Sequence, residues 1–175
     1  MKIGINGTGL ITRSILKLVC KNEEFKNLEI VQINGRTMTI DLLKDRLIFS
    51  SAQGHSGLQV ELDPENSVIV VDGRRIKYTA QSNPEEIPWL PEVDLVIEAS
   101  GNFRDSSKES KDPRRHFQAP NNRIKGIIIS APGKGDIKDF MWSTADSKDE
   151  LRKIIKTPPF VIGGASCTTT AAVPI

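Results

Sequence analysis

Cysteine is scarce in this chain: Cys20 and Cys167 are the only two among 175 residues. Two thiols cannot build the disulfide framework of a small secreted domain. Long apolar runs are missing too. The stretch from Gly126 to Ala131 is among the longest, far short of the ~20 residues that a membrane-spanning helix needs. The start, Met1-Lys2-Ile3-Gly4-Ile5, enters apparent structure directly where a secretory leader would place an apolar stretch. A cytoplasmic address and no membrane partner are therefore expected. Charge of one sign is not in excess either. The 24 basic and 22 acidic side chains leave a formal charge of +2 and lie interleaved, unlike the clustered basic stripe of a nucleic-acid binder. His55 and His116 have no metal-ligand spacing to another His, Cys or acid, so both are expected at the surface and no metal is expected. Asp45, Glu98 and the other acids show no pairing that marks catalysis. There is no repeat, and the only low-complexity piece, Lys108 to Arg115, reads as a solvated face.

What remains is the composition of a globular protein, 38% hydrophobic and 26% charged, with thirteen glycines and ten prolines. The length is enough to bury a core. Lys2 to Asn6 reads as a short buried strand, broken by Gly7-Thr8-Gly9. Ile11, Ile15, Leu18 and Val19 then fall on one face of a helix that ends near Asn22. Leu28 to Asn34 is a second strand, which completes a strand-helix-strand unit of the length a parallel crossover requires. Ile40 to Phe49 predicts a helix, and Gly54 to Gly57 a loop. Leu58 to Leu62, Ser67 to Val71 and Arg75 to Thr79 are β-branched and separated by turn formers, the pattern of an antiparallel insert. Asp94 to Ala99 and Gly126 to Ser130 are continuous apolar runs of the kind buried on both faces of a parallel sheet. They bracket a polar helical stretch, Asp105 to Gln118, disturbed at Pro113. Phe160-Val161-Ile162 is a last strand, followed by Gly163-Gly164-Ala165. The fold class is α/β: a doubly wound, mostly parallel sheet with an antiparallel β insert.

Three segments could carry chemistry. Gly7-Thr8-Gly9-Leu10-Ile11-Thr12 follows a strand and opens a helix, where a Rossmann dinucleotide fingerprint sits. Gly7 would allow the tight turn and Gly9 the approach of a pyrophosphate, held by free N–H groups and the positive helix end. The third glycine is replaced by Thr12, whose Cβ is expected to weaken the packing of helix on strand. The alternative is a plain glycine turn. At the end of the second strand, Asn34-Gly35-Arg36-Thr37 lacks the acid that takes ribose hydroxyls. Gly35 leaves space and Arg36 offers a guanidinium, which suits the 2′-phosphate of NADP better than the hydroxyl of NAD; the alternative is an exposed turn. Finally, Ser166 can cap a helix with Cys167 in its first turn, where a thiolate is favoured. The alternative there is an inert buried cysteine, which is also the reading for Cys20.

Five motifs occur in order over essentially the whole chain. They are Ile3-Gly4-Ile5-Asn6-Gly7-x-Gly9-x-Ile11; Val71-x-Gly73 followed by Asn83-Pro84-x-x-Ile87-x-Trp89; Glu98-Ala99-Ser100-Gly101-x-Phe103; Ile128-Ile129-Ser130-Ala131-Pro132; and Ala165-Ser166-Cys167-Thr168-Thr169. Together they make the chain resemble the amino-terminal half of glyceraldehyde-3-phosphate dehydrogenase, the last being the most specific. The resemblance implies a Rossmann-type dinucleotide-binding domain over residues 1–165 and the start of a truncated catalytic domain, its first strand and helix start, over 166–175. It implies that Cys167 attacks an aldehyde, that hydride passes to NAD or NADP, and that phosphate releases the thioester. Gly7, Gly9, Leu10, Ile11, Ser100, Gly101 and Ser130 would join Gly35 and Arg36 around the cofactor, with Ser166 and Thr168 on substrate and phosphate.

The departures fall at functional positions. Leu10 stands where the family usually has arginine, Gly35 where it has the ribose-binding acid, Ser82 where it has an arginine near the adenine, and Thr170 where it has asparagine. The family's histidine base and phosphate-binding arginine have no counterpart here, so an aldehyde phosphate would be turned over only if the missing half is supplied, in a homo- or hetero-oligomer. Two further readings stay open: a nucleotide-binding or protein-interaction module, and an inactive truncated remnant.

Overall fold

The computed structural model describes residues 1–50, 54–120, 123–141 and 145–165. Ser166, Cys167 and Thr168, three of the expected site residues, lie outside the described residues, as does the expected helix start.

The chain opens with β1 (Lys2–Asn6), α1 (Leu10–Lys21) and β2 (Glu29–Asn34). The apolar stripe of α1 brings Leu16 and Val19 into the core together with Thr12. Asn22 ends the helix by returning its N–H to the Leu18 carbonyl at 3.0 Å, while its side chain accepts from the Glu24 amide at 2.9 Å and starts a short 3₁₀ turn. α2 (Ile40–Ile48) begins at Thr39, whose hydroxyl accepts from the Leu42 amide at 3.2 Å. β3 (Phe49–Ser50) and β4 (Gly54–His55) pair as a small antiparallel ribbon. β5 (Val60–Asp63), β6 (Val68–Val71) and β7 (Arg74–Thr79) form an antiparallel meander. β8 (Leu95–Glu98), β9 (Gly126–Ile129), β10 (Lys138–Asp139), α3 (Ala145–Ile155) and β11 (Phe160–Gly163) complete the order.

Nine strands make one sheet in the order β10-β11-β9-β8-β1-β2-β7-β6-β5. From β10 to β7 every neighbouring pair is parallel, and the meander closes one edge. β1 pairs with β2 on one side and β8 on the other. The chain thus winds outward from β1 in one direction, then returns to wind in the other. This reversal puts the switch point of the sheet, where doubly wound folds place their ligand crevice, at the carboxyl ends of β1 and β8.

Both faces of the sheet are covered. On one, α1, α2 and the meander bury Ile5, Leu16, Ile33, Leu43, Ile69 and Ile76; on the other, Trp89, Val93 and Ala119 pack over Val96, Ile127 and Ile129. The register slips between Ile3 and Gly4, whose partners are Ile30 and Gln32. Val31 is the extra residue of this bulge, and it faces the second core while Ile30 and Ile33 face the first. No helix among the described residues is long and apolar enough to cross a membrane.

The strands fall within a residue or two of their expected bounds, but three connections do not follow expectation. Asp105 to Gln118 is not a helix: it holds 3₁₀ turns at Glu109–Lys111 and Pro113–Gln118. Side chains compete there for the backbone donors that a helix needs. Asp105 accepts from the amide and hydroxyl of Ser107, and Asp112 accepts from the Arg114 amide at 2.9 Å. Pro113 supplies no N–H at all. The second expected helix stops at Ile48, and the expected loop at Gly54 carries β4, because Phe49 pairs with His55. α3 had no counterpart in the sequence reading. His116, expected at the surface, is fully buried.

Candidate nucleotide-binding site

Five strand ends meet along the carboxyl edge of the parallel sheet. Four hydrogen bonds link these ends and extend the ladder one step: Gly7 N–H donates to the Asn34 carbonyl at 2.8 Å, Ala99 to Asn6 at 2.7 Å, Ser130 to Glu98 at 2.9 Å and Gly164 to Ile129 at 2.8 Å. Gly7, Gly9, Ser100, Gly101 and Ser130 are therefore brought to one edge, as the sequence reading expected. Gly7 has φ +122°, and a Cβ there would stand 2.5 Å from the Ala99 carbonyl oxygen. Only glycine makes this turn, for both reasons. Gly9 caps α1 with no side-chain hydrogen bond, and the space where its Cβ would lie is open. The first N–H groups of α1 have no partner inside the helix, and no acid sits in its first turn. Arg13 adds positive charge there, its Nε donating to the Gly9 carbonyl at 3.4 Å. An anion is what this helix end can hold. Leu10 and Ile11 are exposed at the same turn, so they can offer main-chain donors and apolar cover but no charge.

Thr12 does not loosen the turn as expected. It is fully buried, and its hydroxyl donates to the Gly7 carbonyl at 3.0 Å, which ties the helix to the turn it leaves.

Beneath the crevice lies a buried polar network that sequence reasoning missed. The Glu98 carboxylate, 1% exposed, accepts from Asn6 Nδ2 at 2.7 Å, from the Ser100 amide at 2.8 Å and from the Ser100 hydroxyl. His116 Nε2 lies 3.0 Å from Glu98 Oε2, the oxygen that also accepts from Asn6. Asn34 Nδ2 donates to Asn6 Oδ1 and to the Gln81 carbonyl, both at 2.9 Å, while its Oδ1 accepts from the Gln81 amide and the Thr79 hydroxyl. The full complement of an amide side chain is used. Three strand ends are thus clamped by side chains as well as by the ladder. The available signal was an asparagine closing each of two consecutive strands and a glutamate inside the apolar run Leu95-Val96-Ile97-Glu98. A buried acid in such a run needs partners.

At the end of β2 the expected space is not there. Gly35 is buried, and a Cβ on it would stand 2.3 Å from Tyr78 Oη and 2.7 Å from Thr8 Cγ2. The Tyr78 hydroxyl donates to the Met38 carbonyl and lies 3.4 Å from the Gly35 carbonyl. Burial pushes this phenol above its usual range. Arg36, the next residue, is exposed. The sequence reading took the missing side chain for free volume, whereas Tyr78 from the neighbouring strand occupies it.

β11 runs parallel to β9 and ends at Gly163, so it carries Gly164 and Ala165 to the same edge as Ser130. Ala165 has φ +58°, a left-handed conformation uncommon outside glycine. Cys167 follows two residues later in the sequence. Cys20 sits half-buried on α1, where burial pushes its thiol above the usual range. Among the described residues no group of three His, Cys, Asp or Glu side chains could hold a metal ion.

The family model for the glyceraldehyde 3-phosphate dehydrogenase NAD binding domain matches residues 1–106. The chain belongs to this family. It is 34% identical over 176 residues to the glyceraldehyde-3-phosphate dehydrogenase of Chlamydia pneumoniae, covering 100% of this chain and 48% of that protein. It is 33% identical to that of Kitasatospora aureofaciens, covering 99% and 48%, and 32% identical to that of Streptococcus pyogenes, covering 100% and 47%. The chain spans about half the length of these curated relatives. The matched region ends beyond Ser100 and Gly101 and includes the Gly7 turn, β2 and Tyr78.

Proposed function

We propose that this chain is the nucleotide-binding part of a glyceraldehyde-3-phosphate dehydrogenase-type oxidoreductase, that it holds NAD or NADP in the β1–β8 crevice, and that Cys167 is the nucleophile. The observation that carries the reading is the turn at Gly7. Its positive φ, the uncapped start of α1 and the absence of an acid in the first turn suit the pyrophosphate of a dinucleotide.

In this reading the amides of Gly9, Leu10 and Ile11 hold the pyrophosphate. Glu98 keeps Asn6 and the Ser100–Gly101 loop in place beneath it, and Ser130 lines the next strand end. The bound nicotinamide supplies a hydride acceptor. The Cys167 thiolate adds to the aldehyde carbon, and loss of hydride from that carbon leaves a thioester. A phosphate oxygen then displaces the sulfur, which releases the acyl phosphate and restores the thiolate. Ser166 and Thr168 flank the sulfur and hold the substrate and the phosphate. The base and the phosphate-binding cation lie outside these residues, and the protein works as a homo- or hetero-oligomer. The setting is the cytoplasm, where a reactive thiol stays reduced. Without that half the chain is a binding module, a second reading that the changes at Gly35, Ser82 and Thr170 favour.

Calorimetric titration with NAD and with NADP tests the binding step; failure of both to bind rejects it. Alkylation of Cys167 against Cys20 across pH tests the nucleophile. Cys167 is expected to label at the lower pH, and equally slow labelling of both thiols rejects the assignment.

A further inference from the structure

We propose that Tyr78 sets the ligand preference at the sugar end of the crevice: by filling the volume over Gly35 it keeps a carboxylate off the end of β2, and Arg36 then selects an adenosine that carries a 2′-phosphate. The inference rests on the nucleotide reading above.

Three observations support it. First, the exclusion is steric and mutual. Tyr78 lies on β7 directly beside Ile33 of β2, and its ring is 7% exposed, so it cannot swing clear into solvent to admit a side chain on residue 35. A Cβ there would meet the phenol oxygen at 2.3 Å and the Thr8 methyl at 2.7 Å, well inside any van der Waals contact. Second, the phenol is fastened. Its hydroxyl donates to the Met38 carbonyl, which pins the turn between β2 and α2 from below. Third, the charge that remains is positive. No acid occurs between Asn34 and Asp41, and Asp41 belongs to the first turn of α2, while Arg36 is exposed immediately after the plug.

A carboxylate at residue 35 would accept from a free 2′-hydroxyl and repel a 2′-phosphate. A neutral, buried phenol does neither, and a guanidinium matches a phosphate by paired charge-assisted hydrogen bonds. Tyr78 thus acts on the ligand through Gly35 and Arg36 and touches none of it; it is a positioning residue.

The test uses the full chain and three probes: 5′-AMP, adenosine 2′,5′-bisphosphate and adenosine 3′,5′-bisphosphate. The last two carry the same charge, so their difference reads position and not general attraction. The expected result is that the 2′,5′ isomer binds roughly tenfold tighter than the other two, and that Arg36→Ala removes the gap. Gly35→Asp alone is expected to lower the melting temperature by several degrees, and Tyr78→Val is expected to recover most of that loss in the double variant. The double variant then prefers 5′-AMP. Melting reads the steric coupling without any ligand, so the plug is tested even where binding is weak. Equal binding of the three probes by the unaltered chain overturns the selectivity and leaves the nucleotide reading standing. Additive melting losses overturn the plug. Failure to bind any probe, NAD or NADP overturns the nucleotide reading itself.

Discussion

Two neighbouring strand ends of the sheet, those of β1 and β2, are built by different means. At the end of β1 the work is done by main chain: Gly7 at positive φ, the bare start of α1 and a ladder bond to Asn34. Leu10 and Ile11 are exposed, and Thr12 ties the helix to the turn through its hydrogen bond to Gly7. At the end of β2 side chains set the shape: Tyr78 fills the volume over Gly35, and Arg36 stands exposed next to it. A backbone-built contact survives changes of residue that a side-chain-built contact cannot, because the amides are present whatever the side chain is.

The sharpest way to break this contrast is to attack the main chain. Gly7→Val is expected to destabilise the fold by roughly 3 kcal/mol or more, because it adds a side chain at a positive φ and against the Ala99 carbonyl; chemical denaturation measures it. Glu98→Leu comes next. Asn6, Ser100 and His116 each lose a buried partner, for an expected loss of about 2–4 kcal/mol, and Glu98→Gln should recover part of it by keeping one acceptor oxygen. Nucleotide affinity should fall with Glu98→Leu even at temperatures where the variant remains folded.

Tyr78 sharpens the other side of the contrast. Its phenol is held above the usual value of about 10 by burial, so the unfolded chain ionises first. The contribution of Tyr78 is complete below that pH and is lost as the pH rises through the folded value. Denaturation between pH 8 and pH 11 should therefore show an alkaline decline that Tyr78→Phe flattens, in the range of phenol ionisation. Smaller still, Thr12→Val should cost about 1 kcal/mol through the lost bond to Gly7 and leave nucleotide affinity unchanged. Leu10→Arg, on an exposed position, should stay within about 0.5 kcal/mol, although it restores the family's usual residue.

The strands themselves were largely legible because period and composition speak for buried parallel strands: Asp94 to Ala99 and Gly126 to Ser130 announced themselves as apolar runs. The Gly7 turn was legible because its requirement is local. The segment from Asp105 to Gln118 was not, since its charges satisfy a helical pattern while Asp105, Asp112 and Pro113 divert the backbone. Glu98 in its apolar run calls for a partner, but nothing in the sequence names His116 as one; only the fold brings them to 3.0 Å. Gly35 misled for the same reason. An absent side chain is a vacancy in a string of letters, but whether it is a vacancy in space depends on what a strand more than forty residues away, |i−j| = 43 for Tyr78, puts over it.

The position of β1 between β2 and β8 also bears on how the site comes into being. Ile3 meets Ile30 on one side, a local closure, and Leu95 on the other, a closure across most of the domain. Asn6 and Glu98, which clamp the crevice, are 92 residues apart. Loops of that length close slowly, so the opening β1–α1–β2 unit can form early while the crevice appears only with the last long-range pairing. A nucleotide bound there stabilises only the completed sheet. In a refolding experiment, the return of helical signal should precede the return of nucleotide affinity, and that delay is the time β8 takes to find β1.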